Sequence, residues 1–178
     1  MERQFDGKIL NMEESVNQIQ QIVDRLKTNP DDRRLIVSAW NVGEIDKMAL
    51  PPCHRSFQFY SWEKKPGCRV LDVLMDIRSW DVFLGGPFNI ASYAILLMMM
   101  AQAVNMEPGK LIINAGDAHL YENHIEYVLE QLGRGSANNP PKMILNPMRE
   151  NIFDYTPEDF HLSRYSAHPN WKNVPIAV

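Results

Sequence analysis

The sequence predicts an α+β fold in which a β-sheet packs against one buried central helix. Residues 88–104 are strongly apolar but interrupted by Asn89, Ser92, Tyr93 and Gln102, so they read as a core helix and not as a membrane span. Leu71, Val73, Met75 and Ile77 alternate with Asp72 and Asp76, the period-two pattern of a strand with one apolar face. Residues 35–40 and 57–62 are two further strand-type runs. At 178 residues and 45% hydrophobic content, the chain is a single domain, 1–178, with room for a sizeable core. A formal charge of −4 gives no general attraction to nucleic acid or membrane, so bound anions would need local arginines. Cys53 and Cys68, in a chain without a signal peptide, point to a reducing cytoplasmic setting.

Taken in order, residues 1–10 carry no clear pattern. Asn11 can cap a helix, with Glu14 completing a capping-box-like pair, and Val16, Ile19, Ile22, Val23 and Leu26 then share one apolar face. Thr28-Asn29-Pro30 ends that helix. Asp31-Asp32-Arg33-Arg34 leads into the strand at 35–40. Adjacent arginines there are usually a solvated pair; the alternative is a phosphate clamp, because guanidinium is a planar fork for an oxyanion. Pro51 and Pro52 then fix the backbone before Cys53-His54-Arg55, at the start of the strand at 57–62. A sulfur held rigidly at a strand entrance suits a nucleophile, provided cations such as His54, Arg55, Arg33 and Arg34 favour the thiolate. The plain alternative is a small buried residue that happens to be cysteine. Residues 63–67 form a charged turn before the strand at 68–77, and Cys68, beside an ordinary turn, reads as structural.

Residues 78–89 are the densest polar stretch, with Arg78, Ser79 and Asp81 close together before Gly85-Gly86. Asn89 opens the long helix, either as a simple cap or as part of a polar-ligand site at the helix N-terminus. Pro108-Gly109 reads as a turn and 110–114 as a short strand. Asp117, His119, Glu122 and His124 invite a metal. However, the spacing of the two histidines puts them on different helical faces and is not a zinc-peptidase arrangement, so no metal is expected. His119 and Tyr121, at alternate positions, could point together at a sugar hydroxyl. A helix then runs to about Gly133, residues 138–141 form a loop and 142–145 a strand. Residues 152–160 are an aromatic-anchored segment, 162–166 a last strand, and 168–178 a tail for which disorder is expected.

Several of these stretches together resemble the thymidylate synthase family. They are Arg33-Arg34 through Trp40-Asn41, Met48 through Pro51-Pro52-Cys53-His54, and Gln58-Phe59-Tyr60. Arg78-Ser79 with Asp81, Gly85 and Asn89 to Tyr93 follow, then Gly116 to Tyr121, Ile152 to Tyr155, Asp159-Phe160 and Ala177-Val178. The resemblance implies a mixed sheet packed on the central helix and a homodimer formed by back-to-back sheets, for which the apolar residues of 71–77 are suited. It also implies reductive methylation of dUMP to dTMP, with 5,10-methylenetetrahydrofolate supplying carbon and hydride. Cys53 would add to C6 of the pyrimidine. Arg78 and Ser79 would hold the phosphate, with Arg33 and Arg34 reaching in from the partner subunit. Asn89 would read the base, and His119 with Tyr121 the deoxyribose hydroxyl, with Trp80 and Leu120 adjoining them. Asp81 would make contacts on the base side of dUMP as well as with the folate ring. Gly85 and Ala177 would contact the folate, Ala177 as the C-terminal tail closes, while Gln58 and His54 belong to the surrounding shell.

The family carries a segment ahead of the point matching Met1, with a further phosphate-binding arginine and a glutamate organising a water. The expectation is therefore an N-terminally incomplete domain, with a separate N-terminal fragment as a conceivable partner. Ile77 stands where a glutamine is common. Two rival readings remain: a dUMP hydroxymethylase of the same fold, or a catalytically poor fragment that binds nucleotide or dimerises. Asn89 bears on the base, since a carboxamide matches the acceptor and donor of uracil and not the inverted pattern of cytosine.

Overall fold

The computed structural model describes residues 16–135 and 140–176. Helix α1 (Gln18–Thr28) is capped by Asn17, whose side chain accepts from the Gln20 amide at 3.0 Å. The cap expected at Asn11, with Glu14, lies outside the described residues. Val16 precedes the helix and is exposed, so it does not share the apolar face that Ile22, Val23 and Leu26 bury.

Four strands follow: β1 (Ile36–Ser38), β2 (His54–Lys65), β3 (Cys68–Asp81) and β4 (Glu107–His119), which form one sheet in the order β1-β2-β3-β4. The β1–β2 and β2–β3 pairs are antiparallel and β3–β4 is parallel, so the sheet is mixed, as expected. A parallel pair cannot be joined by a tight turn and needs a crossover. Helix α2 (Gly85–Ala103) is that crossover, and it lies across one sheet face. The helix starts at Gly85, earlier than expected, so Asn89 sits in its second turn and is not its cap.

This crossover decides which strand residues are buried. Phe59, Leu71, Val73, Met75 and Ile77 are essentially inaccessible to water and pack with Tyr93, Leu97 and Met100 of α2 and Ile22 and Leu26 of α1. The expectation that the apolar alternation at 71–77 serves a dimer is therefore corrected: those side chains line the core. The opposite face carries Gln58, Tyr60, Trp62, Asp72, Leu74 and Asp76, with the Trp62 indole donating to Asp72 at 3.1 Å.

Strand β4 also absorbs the expected turn at Pro108-Gly109. Pro108 lies opposite Leu71 in the register, and a bulge follows before Val73 meets Leu111. At that bulge the backbones approach closely: a Cβ on Gly109 would lie 2.0 Å from Asp72 Oδ1 and 2.9 Å from the Leu71 carbonyl oxygen. Glycine is there for space, not to turn the chain.

Helix α3 (Ile125–Gly133) follows a 3-10 turn, Glu122–His124. Strands β5 (Lys142–Leu145) and β6 (Phe160–Ser163) make a separate antiparallel pair. β6 begins two residues before the expected 162–166 and stops at Arg164, whose φ of 56° leaves extended geometry. Between them, Asp159 organises the loop: it accepts from the Thr156 amide, the Asn146 amide group and the Arg149 guanidinium, at 2.6–2.8 Å. The Thr156 amide and the Asn146 side chain, with Arg149, hold its carboxyl far below the usual carboxylate range.

The tail up to residue 176 is packed, contrary to the disorder expected of it. Trp171 donates to Glu130 at 2.7 Å, and the Arg134 guanidinium lies 4.0 Å over its ring. Phe83 and Tyr127 close the cluster, with ring centroids 5.7 and 6.0 Å from Trp171. One indole on an α-helical face is enough to dock a polar segment, which composition does not reveal.

Candidate active site

The Pro51-Pro52-Cys53 turn enters β2 directly, and Arg78 of β3 holds it from the neighbouring strand. The Arg78 amide donates to the Cys53 carbonyl at 2.8 Å. Its side chain donates from Nε to the Pro52 carbonyl at 3.2 Å and from Nη2 to the Pro51 carbonyl at 2.8 Å. Prolines have no N–H, so their carbonyls are free of any reciprocal strand pairing and accept from a cation instead. Two of the five guanidinium N–H groups are used, which leaves three for an anion. Cys53 itself is half-buried against the apolar core.

Of the cations expected beside the thiol, His54, Arg55 and Arg34 engage other groups. The His54 ring stands edge-on to Tyr93, centroids 5.3 Å apart. Arg55 faces Asp76 at 3.6 Å, and Arg34 faces Asp32 at 3.8 Å while remaining largely exposed. The Arg33-Arg34 pair precedes β1, and the β1–β2 register (Ile36 with Gln58, Ser38 with Ser56) sets it at the far end of the ladder from Cys53. Arg33 lines an open cleft of about 260 Å³ with Gln58 and Tyr60. Within one chain, then, Arg78 contacts the cysteine turn, while Arg33 and Arg34 stand apart from it. A larger cleft, about 450 Å³, is bounded by Ser38, Trp40, Arg55, Ser56, Asp76 and Arg78.

The other residues singled out gather at the C-terminal ends of β3 and β4, where the parallel register aligns Ser79 with Asp117, Trp80 with Ala118 and Asp81 with His119. Asp81 Oδ1 accepts from the Phe83 and Leu84 amides at 3.0 and 3.2 Å, shaping the turn into α2. A Cβ on Gly85 would stand 3.5 Å from Asn89 Oδ1 and 3.8 Å from the Asp81 Cβ, so the Asn89 carboxamide rests over Gly85 beside Asp81. His119 and Tyr121 are edge-to-face neighbours, centroids 5.0 Å apart, as their alternate spacing suggests. His119 ends a strand, so the helical-face argument used against a metal there does not apply. Among the described residues no group of three or more His, Cys, Asp or Glu converges on one point. The His119 Nδ1 and the Trp80 indole N–H are both buried without a hydrogen-bond partner among the described residues. Leu120 is partly exposed beside them, and Ala177 lies outside the described residues.

The second cysteine has a different environment. Cys68 donates to Glu107 at 3.2 Å, and that hydrogen bond raises the thiol above its ordinary range, which favours an unreactive protonated sulfur. The model of the thymidylate synthase family matches residues 2–178. The chain belongs to the thymidylate synthase family. Membership places it among the methyltransferases of dTMP synthesis. Two features of this family member escaped the sequence reading. His124, considered there only as a metal ligand, is completely buried, and Phe83 is packed between the Asp81 turn and the tail. An apolar neighbourhood around a histidine was the available signal, in Leu120, Tyr121 and Ile125.

Proposed function

We propose that this chain carries out the reductive methylation of dUMP to dTMP, with 5,10-methylenetetrahydrofolate as donor of carbon and hydride. The observation that carries the reading is the Arg78 fork on the Pro51 and Pro52 carbonyls. It ties the strand that would grip the phosphate to the turn that presents the sulfur. One guanidinium thereby sets the distance between anion and nucleophile, a form of positioning by which enzymes avoid the entropy of a bimolecular encounter.

In this reading the nucleotide phosphate takes the remaining Arg78 donors and Ser79, with Arg33 and Arg34 supplied by the partner subunit of a homodimer. Their distance from Cys53 within one chain supports that use. The Cys53 thiolate attacks C6 of uracil, forming an S–C6 bond and moving the C5–C6 pair onto C5 and O4. C5 is then the carbon nucleophile toward the methylene group of the folate. Asn89 offers an N–H to O4 and an oxygen to N3–H, which supports uracil over cytosine. His119 and Tyr121, with Leu120 and Trp80 beside them, face the deoxyribose. Asp81, Gly85 and Ala177 serve the folate, and closure there would exclude water.

The test is product analysis. Incubation of the protein with dUMP and methylenetetrahydrofolate should yield dTMP and dihydrofolate in equal amounts, with Cys53→Ser inactive yet folded. Formation of 5-hydroxymethyl-dUMP without dihydrofolate would overturn the assignment.

A further inference from the structure

His124 is the most deeply buried ionisable side chain in this half of the molecule, and the chemistry proposed above does not use it. It has no solvent exposure, although it lies only five positions from His119. Its Nε2 lies 2.6 Å from the carbonyl oxygen of Pro175, 51 residues later in the chain. A carbonyl only accepts, so Nε2 carries the hydrogen and donates. The other ring nitrogen, Nδ1, is buried without a partner among the described residues. The imidazole therefore makes its one hydrogen bond to the tail, and burying it is unfavourable unless that bond forms.

The ring also touches both sides of the candidate site. Tyr121 stands edge-on to it at 5.7 Å, and Tyr121 in turn meets His119 at 5.0 Å. Phe83 lies against its other side at 5.3 Å, and the Phe83 amide is the one that Asp81 accepts from at 3.0 Å. Phe83 continues to Trp171, which Glu130 of α3 and Arg134 just beyond its end hold in place. Arg134 adds a bond to the Pro169 carbonyl at 3.2 Å. The tail is thus pinned at three points, Pro169, Trp171 and Pro175, and His124 makes the last.

We infer that His124 is a positioning residue: by donating to the Pro175 carbonyl it fixes the C-terminal segment against Tyr121 and Phe83, coupling tail docking to the nucleotide-facing residues. Tail docking by His124 depends only on contacts within this chain. Its kinetic consequence rests on the thymidylate synthase reading, in which the residues after Pro175 cover the folate.

The experiment compares His124→Gln, His124→Asn and His124→Phe in the full chain. The glutamine amide nitrogen reaches about as far as Nε2, the asparagine amide does not, and phenylalanine keeps volume but cannot donate. Hydrogen–deuterium exchange over residues 165–176 should speed up about 2- to 12-fold in the Asn and Phe variants, as expected for one lost buried hydrogen bond. Exchange in His124→Gln should stay close to the parent. In the same proteins the KM for folate should rise in His124→Asn and not in His124→Gln, and dUMP binding, coupled through Tyr121, should weaken in His124→Asn alone. ¹⁵N chemical shifts of the imidazole should show the Nε2–H tautomer in the parent. Equal tail exchange in His124→Gln and His124→Asn would overturn the inference, as would unchanged exchange in His124→Phe. A protein inactive in every form, but with the predicted exchange pattern, would keep the positioning role and refute the enzymatic reading instead.

Discussion

Replacing Arg78 by lysine tests whether the guanidinium fork sets up the nucleophile. The charge survives, but a single ammonium cannot bond the Pro51 and Pro52 carbonyls with the parallel geometry that Nε and Nη2 adopt at 3.2 and 2.8 Å. At least one charge-assisted bond is lost, worth about 1.5–3 kcal/mol. Divided between holding the turn and holding the phosphate, that amounts to about a 10- to 150-fold slower covalent trapping of a dUMP analogue at Cys53. The assay is the rate of adduct formation with 5-fluoro-dUMP and folate. It is run beside alkylation of Cys53 by iodoacetamide, which needs no phosphate. Trapping should slow in Arg78→Lys, and part of the loss should appear in alkylation, because the turn itself has loosened. Trapping within twofold of the parent would refute the reasoning, since neither carbonyl bond could then matter to the reactive geometry.

Asn89→Asp should move nucleotide preference from dUMP toward dCMP, because a protonated or water-bridged carboxyl complements cytosine; calorimetric binding of both nucleotides measures the ratio, and an unchanged ratio removes Asn89 from base reading. Asp159→Asn should lower stability at neutral pH, where Asp159 is ionised and held by Thr156, Asn146 and Arg149. Its carboxyl titrates far lower in the folded than in the unfolded chain, so the parent's advantage is complete above the unfolded value near pH 4 and starts to fade below it; the gap between denaturant melts should be constant from about pH 7 to 5 and only begin to narrow by about pH 3. Gly109→Ala should cost about 1–3 kcal/mol, because its Cβ would meet Asp72 and the Leu71 carbonyl, and thermal melting would show a fall of several degrees.

Periodicity made the elements at 68–77 and 88–104 readable, because burial on one side forces a two- or near-fourfold repeat of apolar residues. What covers that side is not in the repeat. The residues Leu71, Val73, Met75 and Ile77 would alternate identically whether a helix or a second sheet lay on them, and α2 is the answer. Gly109 failed for a related reason: glycine marks close approach as readily as a turn, and only the neighbouring strand tells which. At the candidate site, the residue types at Cys53, Arg78, Asn89 and His119 were legible because the chemistry limits which side chains can serve. Their support was not. Arg78 spends two donors on proline carbonyls and His124 reaches Pro175, both through contacts between distant parts of the chain. The sequence around Trp171 reads as a loose tail, and only Glu130 of α3 with Arg134 just after it shows where the indole docks.

The central claim is that Cys53 is the nucleophile, and mass spectrometry of the trapped complex tests it most directly. Protein incubated with 5-fluoro-dUMP and methylenetetrahydrofolate, digested and sequenced, should carry the nucleotide–folate mass on the peptide containing Pro51-Pro52-Cys53. Cys68, held protonated by Glu107, should remain unmodified. The Cys53→Ser protein should form no adduct while melting like the parent. Label on Cys68, or an undiminished adduct in Cys53→Ser, would contradict the account.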